Sequence, residues 1–199
     1  MAAQLKPFIS GITRYFRAYG GWGAVFGSPV LWLAVAVAVL GYKNWLSADK
    51  WADLAQSLIP SLLGFSLGAY TILLTLITGR IKQALKDEKN GNGVTFLDEI
   101  NATFFHFIFV QVAALLWSFL YQGSFLFDLA QVAKPYCPLA FPAFRVMQAL
   151  GGFVGYALLV YSITLIVASA LAVHRLAPIV DPADTAPTAA PQAPRDESH

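Results

Sequence analysis

The sequence predicts an all-α membrane protein, a four-transmembrane-helix bundle with an N-terminal amphipathic interfacial helix. Three observations predict it. Hydrophobic residues make up 57% of the 199-residue chain and charged residues 12%, about half the charge of an average soluble domain. Four stretches carry no Asp, Glu, Lys or Arg: Ala18–Tyr42, Leu54–Gly79, Ile100–Phe127 and Val146–His174, of 25, 26, 28 and 29 residues. Each exceeds the roughly 20 apolar residues that cross a bilayer as a helix. Lysine and arginine also divide unevenly between the two sides that four spans create. The N-terminus, middle loop and C-tail hold nine, and the other two loops hold four.

Other classes are excluded on the same figures. A mean hydropathy of +0.60 leaves too much apolar surface for a small water-soluble globule. One cysteine, Cys137, rules out a disulfide scaffold. A net charge of +2 argues against direct nucleic-acid binding. The apolar runs lack the alternation of barrel strands, and only helices and closed barrels satisfy their backbones in lipid.

In chain order, residues 1–23 form the amphipathic N-terminal segment. Ile9, Ile12, Phe16 and Tyr19 recur near helical spacing, with Ser10, Arg14 and Arg17 on the other side. That pattern suits a helix on the inner leaflet, with arginines near anionic lipid; a short basic anchor that only sets orientation is the plainer reading. Residues 24–176 form the four-helix domain, with span cores at about Val25–Gly41, Leu58–Gly79, Ala102–Phe125 and Leu150–Val173. The 23 residues of the N-terminal segment, ahead of the first apolar core, argue against a cleaved signal peptide.

Arg80–Lys89 is expected to continue the second helix beyond the membrane. Asn90-Gly91-Asn92-Gly93 signals a turn, and Thr95 with Asp98 forms a capping box that opens the third helix. Pro135, Pro138 and Pro142 are expected to keep the second outer loop, Asp128–Arg145, from forming a regular helix. Residues 177–199, rich in Pro, Ala and Thr, read as a disordered tail. Basic residues near span ends stay in the cytoplasm. Both termini and the middle loop are therefore expected on that side of a bacterial inner membrane.

Several residues invite a chemical reading. Gly64-Phe65-Ser66-Leu67-Gly68 matches the G-x-S-x-G of serine hydrolases, but that motif needs a strand-to-helix elbow. Inside an apolar helix it reads instead as G-x-x-x-G, a packing notch. The same spacing recurs at Gly23/Gly27 and Gly151/Gly155. Ser57, Ser61, Gly64, Gly68, Thr71, Thr75 and Thr78 follow at spacings of four and three, one small polar face along the second helix. Gln148, Gly155, Ser162 and Ser169 recur every seven residues in the fourth. Both stripes read as helix–helix seams or, more sharply, as a wet route through an oligomer; the seam is the commoner use.

The third span carries Phe104, Phe105, Phe107, Phe109, Trp117, Phe119 and Tyr121, side chains suited to filling notches or facing lipid. Apart from tyrosines, His106 is the only ionisable side chain well inside a span, a functional candidate by default. Its plainer reading is a neutral ring bonded to a carbonyl. Arg80, Lys82, Lys86 and Lys89, on a projecting tip, are candidates for docking a partner. No metal, nucleotide or other cofactor pattern occurs, and no enzymatic role is expected.

The layout of Ala18–Arg175, with the stretch Pro60-Ser61-Leu62-Leu63-Gly64-Phe65-Ser66-Leu67-Gly68, resembles the small four-span bacterial inner-membrane proteins of anti-phage defence. These include the membrane subunit of Kiwa-type systems. The resemblance implies a homo-oligomeric membrane sensor that works with a separate cytoplasmic effector protein. The residues also leave open a small channel or transporter with the second-helix stripe lining the route.

Overall fold

The computed structural model describes residues 2–46, 50–77, 79–89, 91, 93–123, 125–133, 135 and 139–180. Among them every regular element is helical apart from a single bridge between Lys89 and Thr95. The helices are α1 (Ala2–Tyr19), α2 (Gly21–Phe26), α3 (Pro29–Leu40), α4 (Tyr42–Leu46), α5 (Lys50–Leu76), α6 (Gly79–Asp87), α7 (Phe96–Gln122), α8 (Phe125–Ala133) and α9 (Ala140–Val180). Three of them, α5, α7 and α9, are long and apolar enough to cross a membrane.

The first apolar run folds differently from one continuous span. It breaks at Gly27-Ser28-Pro29. Proline pushes the residue before it out of the helical region, and Ser28 is extended at φ −72° and ψ 121°. Pro29 then opens α3 at a position where its missing N–H has no helical acceptor to serve. The 12 residues of α3 cover about 18 Å, short of a hydrocarbon core of about 30 Å. Past Gly41 the chain resumes as α4, and the Trp45 indole N–H donates to the Ala38 carbonyl at 2.8 Å.

Two loop expectations are also corrected. The middle loop does not prolong α5. That helix ends at Leu76, and Gly79 takes φ +46° and re-aims the chain into α6. The new direction lays Ile81 and Leu85 against Ile100, Phe96 and Leu97 of α7. Burying that apolar edge is what the turn gains. The second outer loop contains regular helix on both sides of Pro135. Pro142 lies in the first turn of α9, where proline is tolerated. Pro138 and Cys137 lie outside the described residues, as do Thr78, Asn90, Asn92 and 181–199.

The turn into α7 matches its sequence signal. The Thr95 hydroxyl accepts from the Asp98 backbone N–H at 3.2 Å and donates to the Asp98 carboxylate at 2.9 Å. Asp98 and Glu99 put negative charge at the positive end of the helix dipole.

Helix α7 is central. It packs against α5 on one side and α9 on another, α3 lies along α9, and α1 lies against α7. Three apolar clusters hold the bundle. Trp51, Ala55, Ile59, Ala114 and Leu159 fill the end near the α3–α5 connection. Ala34, Phe107, Val110, Tyr161 and Leu165 fill the middle. Leu73, Ile77, Leu85, Ile100 and Phe104 fill the end near α6. The aromatic side chains of α7 divide: Phe104 and Phe107 are buried, whereas Phe105, Phe109, Trp117 and Phe119 are exposed.

Glycines decide how closely these helices approach. The Trp51 ring, 1% exposed, lies against Gly155 of α9. A Cβ there would stand 2.0 Å from the Trp51 Cη2. At Gly152 it would stand 2.6 Å from the Trp45 carbonyl oxygen, and at Gly151 it would only touch Tyr121 at 3.5 Å. At Gly64 and Gly68 it would meet nothing within 4 Å.

Gly155→Ala is therefore expected to destabilise the fold by about 1–3 kcal/mol, the usual cost of overpacking. Gly64→Ala is expected to be neutral or stabilising by up to about 1 kcal/mol through helix propensity. Thermal unfolding of both variants in one detergent checks this; equal midpoints would contradict the notch.

Candidate functional site

The densest polar arrangement inside the bundle surrounds His106. Its ring is 5% exposed. On one side Nδ1 shares a hydrogen bond with the Tyr15 hydroxyl of α1, at 2.5 Å. On the other, Nε2 shares one with the Tyr161 hydroxyl of α9, at 2.9 Å. A neutral imidazole has one donor and one acceptor nitrogen, so the two phenols take complementary roles. The Tyr19 ring stacks on the imidazole, with centroids 4.2 Å apart and planes 19° apart. The Tyr161 hydroxyl also lies close to the side chains of Tyr19 and Ser28. Burial raises the Tyr15 and Tyr19 phenols above the ordinary tyrosine value, so both stay protonated donors.

This cluster ties α1, the break before α3, α7 and α9 together. Phe105 and Phe109 flank it, with Tyr15 4.6 Å and 6.5 Å from their ring centroids. The partners of His106 are thus two phenols, not a backbone carbonyl. The sequence singled out His106, but nothing in it tied Tyr15, 91 positions away, to the same ring.

A second polar group lies between α5 and α7. Gln111 is fully buried, and its Oε1 accepts from the Ser66 hydroxyl at 3.2 Å. Its Nε2 has no partner, and neither has the buried Trp51 Nε1. Ser66 also bonds the Leu62 carbonyl at 2.6 Å. It sits mid-helix, away from the elbow a G-x-S-x-G nucleophile needs, and both nitrogens of His106 are engaged elsewhere. Gln111 was not among the residues picked out from sequence, although a lone amide in the middle of a charge-free run is a visible signal.

The second-helix stripe lies on the outer face of α5. Ser57, Ser61, Gly64, Gly68, Thr71 and Thr75 are all exposed. The buried face of that helix carries Ala52, Ala55, Ile59, Ser66 and Leu73 instead. Ser57, Thr71 and Thr75 donate to carbonyls of their own helix at 3.0, 2.8 and 2.7 Å. Gly151 and Gly155 face inward, toward Tyr121 and Trp51.

Lys82, Lys86 and Lys89 are exposed along and just beyond α6; the Arg80 side chain lies outside the described ones. Among the described residues no three His, Cys, Asp or Glu side chains gather in a way that would hold a metal ion.

No family model matches the chain, and no solved structure matches it. It is 28% identical over 96 residues to the leptomycin B resistance protein pmd1 of Schizosaccharomyces pombe. That stretch is 47% of this chain and only 7% of the length of pmd1.

Two substitutions test the polar groups. His106→Leu leaves the buried Tyr161 phenol and the half-buried Tyr15 phenol each short of a partner and is expected to cost about 1–3 kcal/mol. Gln111→Leu removes an amide with an orphaned donor while Ser66 keeps its bond to Leu62. It is therefore expected to be neutral or stabilising. Unfolding midpoints in detergent give both signs, and a large loss at Gln111→Leu would show that its amide is satisfied.

Proposed function

We propose that the chain is a non-enzymatic, homo-oligomeric sensor or scaffold of the bacterial inner membrane, with both termini cytoplasmic, coupled to a cytoplasmic effector protein. The observation that carries this reading is the outer face of α5. Small side chains let helices approach closely in lipid, where water exclusion supplies no drive. Among the described residues the face formed by Ser57, Ser61, Gly64, Gly68, Thr71 and Thr75 is exposed, and a Cβ at Gly64 or Gly68 would meet nothing within 4 Å. A second copy would give that face a use.

The division of basic residues supports the orientation. The first apolar run would then pass through the membrane as the broken α2–α3–α4 segment, and α1 would lie at the inner leaflet. The exposed lysines of α6, with Arg80, would meet the effector on the cytoplasmic side. Antiviral defence is the setting that the family resemblance implies.

The same α5 face supports a second reading, a channel or transporter whose route runs between copies. Its hydroxyls would line the path.

Gly64→Leu with Gly68→Leu is expected to leave the single chain folded, since both positions are exposed and a Cβ at either meets nothing within 4 Å, and to abolish self-association. Cross-linking or native mass spectrometry reads the result, and an unchanged oligomer would overturn the interface. Thr71→Cys in a Cys137→Ser background then separates the two readings. A dry seam protects it from a membrane-impermeant thiol reagent, and a water-filled route exposes it. For the orientation, reporters fused after Lys89 and Arg195 are expected to read cytoplasmic and one after Lys134 periplasmic. A periplasmic signal at Lys89 would reverse the assignment.

A further inference from the structure

We propose that His106 is a pH-sensitive latch: it seats the α1 arm against α7 and α9 while its ring is neutral, and releases the arm when the ring takes up a proton. The latch goes beyond the sensor reading and does not depend on it, since a channel would carry the same arm.

The first support is the bonding at the ring. Nδ1 meets the Tyr15 hydroxyl of α1, Nε2 meets the Tyr161 hydroxyl of α9, and the Tyr19 ring stacks on the imidazole. A neutral imidazole accepts at one nitrogen and donates at the other. One phenol therefore gives its hydrogen to the ring, and the other receives one. A proton added to the accepting nitrogen turns both nitrogens into donors. The phenol that had donated must then turn its hydrogen away, and a donor left without an acceptor in an apolar setting is costly.

The second support is charge. From α1 the ring meets Tyr15 and Tyr19, and from α9 Tyr161, with Ser28 of the α2–α3 break close to Tyr161. On the α5 side Tyr70 bonds Asn101 at 3.2 Å, one turn along α7. All of these groups are neutral at neutral pH. Arg17, between the two tyrosines of α1, is exposed and has the same sign as an imidazolium; the Arg14 side chain lies outside the described ones. The carboxylates of α7 that precede the ring, Asp98 and Glu99, stand about 10 Å or more back along the helix axis. A buried charge without a partner is far costlier than a neutral ring. Imidazole is also the side chain whose charge changes close to neutral pH.

The third support is the attachment of the arm. It joins the bundle through Gly20 and Gly21, both at positive φ, 99° and 68°, a conformation that glycine takes without strain. It packs on α7 and α2, through rings: Tyr15 lies 4.6 Å from Phe105 and Phe16 5.1 Å from Trp22. His106 supplies the polar contact to Tyr15 that these ring contacts lack. The ring lies about 9 Å past Ile100, where the charge-free stretch begins, so with the arm lifted water at the near membrane surface reaches it. The seated state binds fewer protons than the lifted one. Acid therefore favours lifting, by up to about tenfold per pH unit for one group.

The test uses the full chain in lipid nanodiscs, with spin labels at Gly11→Cys of α1 and Gln83→Cys of α6 in a Cys137→Ser background. It reads the position of the arm, whatever the chain assembles with. A water-exposed imidazole titrates near 6.5. Lowering the pH from about 7.5 to about 5 is therefore expected to raise the ratio of lifted to seated arm about tenfold or more, as a second, broader population of label distances that reverses on neutralisation. His106→Gln keeps one donor and one acceptor but takes up no proton, and is expected to leave the arm seated throughout. An arm that acid does not move, or one that moves equally in His106→Gln, would overturn the proposal. Should His106→Gln fail to seat the arm at any pH, His174→Gln with His199→Gln decides. That pair leaves His106 as the only histidine; a retained acid shift supports the latch, and its loss overturns it.

Discussion

Polar groups without water set the terms for this molecule. In an apolar medium an unpaired hydroxyl is costly, and the chain meets that cost locally. Ser66, Thr71, Thr103, Ser118, Ser162, Thr164 and Ser169 each donate to a carbonyl three or four residues back on their own helix. A serine or threonine satisfied this way needs no neighbour. It can therefore sit at a buried seam, as Ser118 and Ser162 do, or on an open face, as Thr71 and Thr75 do. Longer polar side chains have no such escape. Gln111 reaches across to Ser66, and His106 to two phenols, so these residues carry information between helices.

With hydroxyls neutralised, shape decides which helices touch. Gly155 lets an indole enter α9, and the Trp51 ring then anchors the start of α5 against α9 beside Tyr121. Trp117 donates to the Gly151 carbonyl at 2.9 Å, which sets the register of α7 on α9 at the same end. The opposite end is closed differently, by the amphipathic α6 turned back onto the first turns of α7. The bundle is thus pinned by rings in notches at one end and by a folded helical hairpin at the other. Polar contacts to His106 lie between them.

Glycine and proline place the breaks that make this arrangement possible. Pro29 ends one helix and begins another, Gly79 frees α6 from the line of α5, and Gly20 with Gly21 folds α1 back. Each break lets an apolar or aromatic face reach α7 or α9 that a straight helix would carry past.

The sequence by itself determined the medium and the material. Charge-free runs of 26 to 29 residues dictate long apolar helices, as α5, α7 and α9 are, because backbone groups must be paired within the segment in lipid. It also marked the cap at Thr95, a local interaction of residues three apart. Which face of each helix points inward was not legible. The small polar stripe of α5 read as a seam, yet in the single chain it lies outside while Ser66 lies inside. Hydropathy cannot separate these faces, because lipid and protein interior are equally apolar and every face of such a helix looks buried. Proline rules misled at Pro142, since a first-turn proline costs a helix nothing and only the fold shows where the first turn falls. The setting of His106 was likewise decided by tertiary structure alone. Its partners come from positions 15 and 161, and no periodicity within one segment connects residues that far apart.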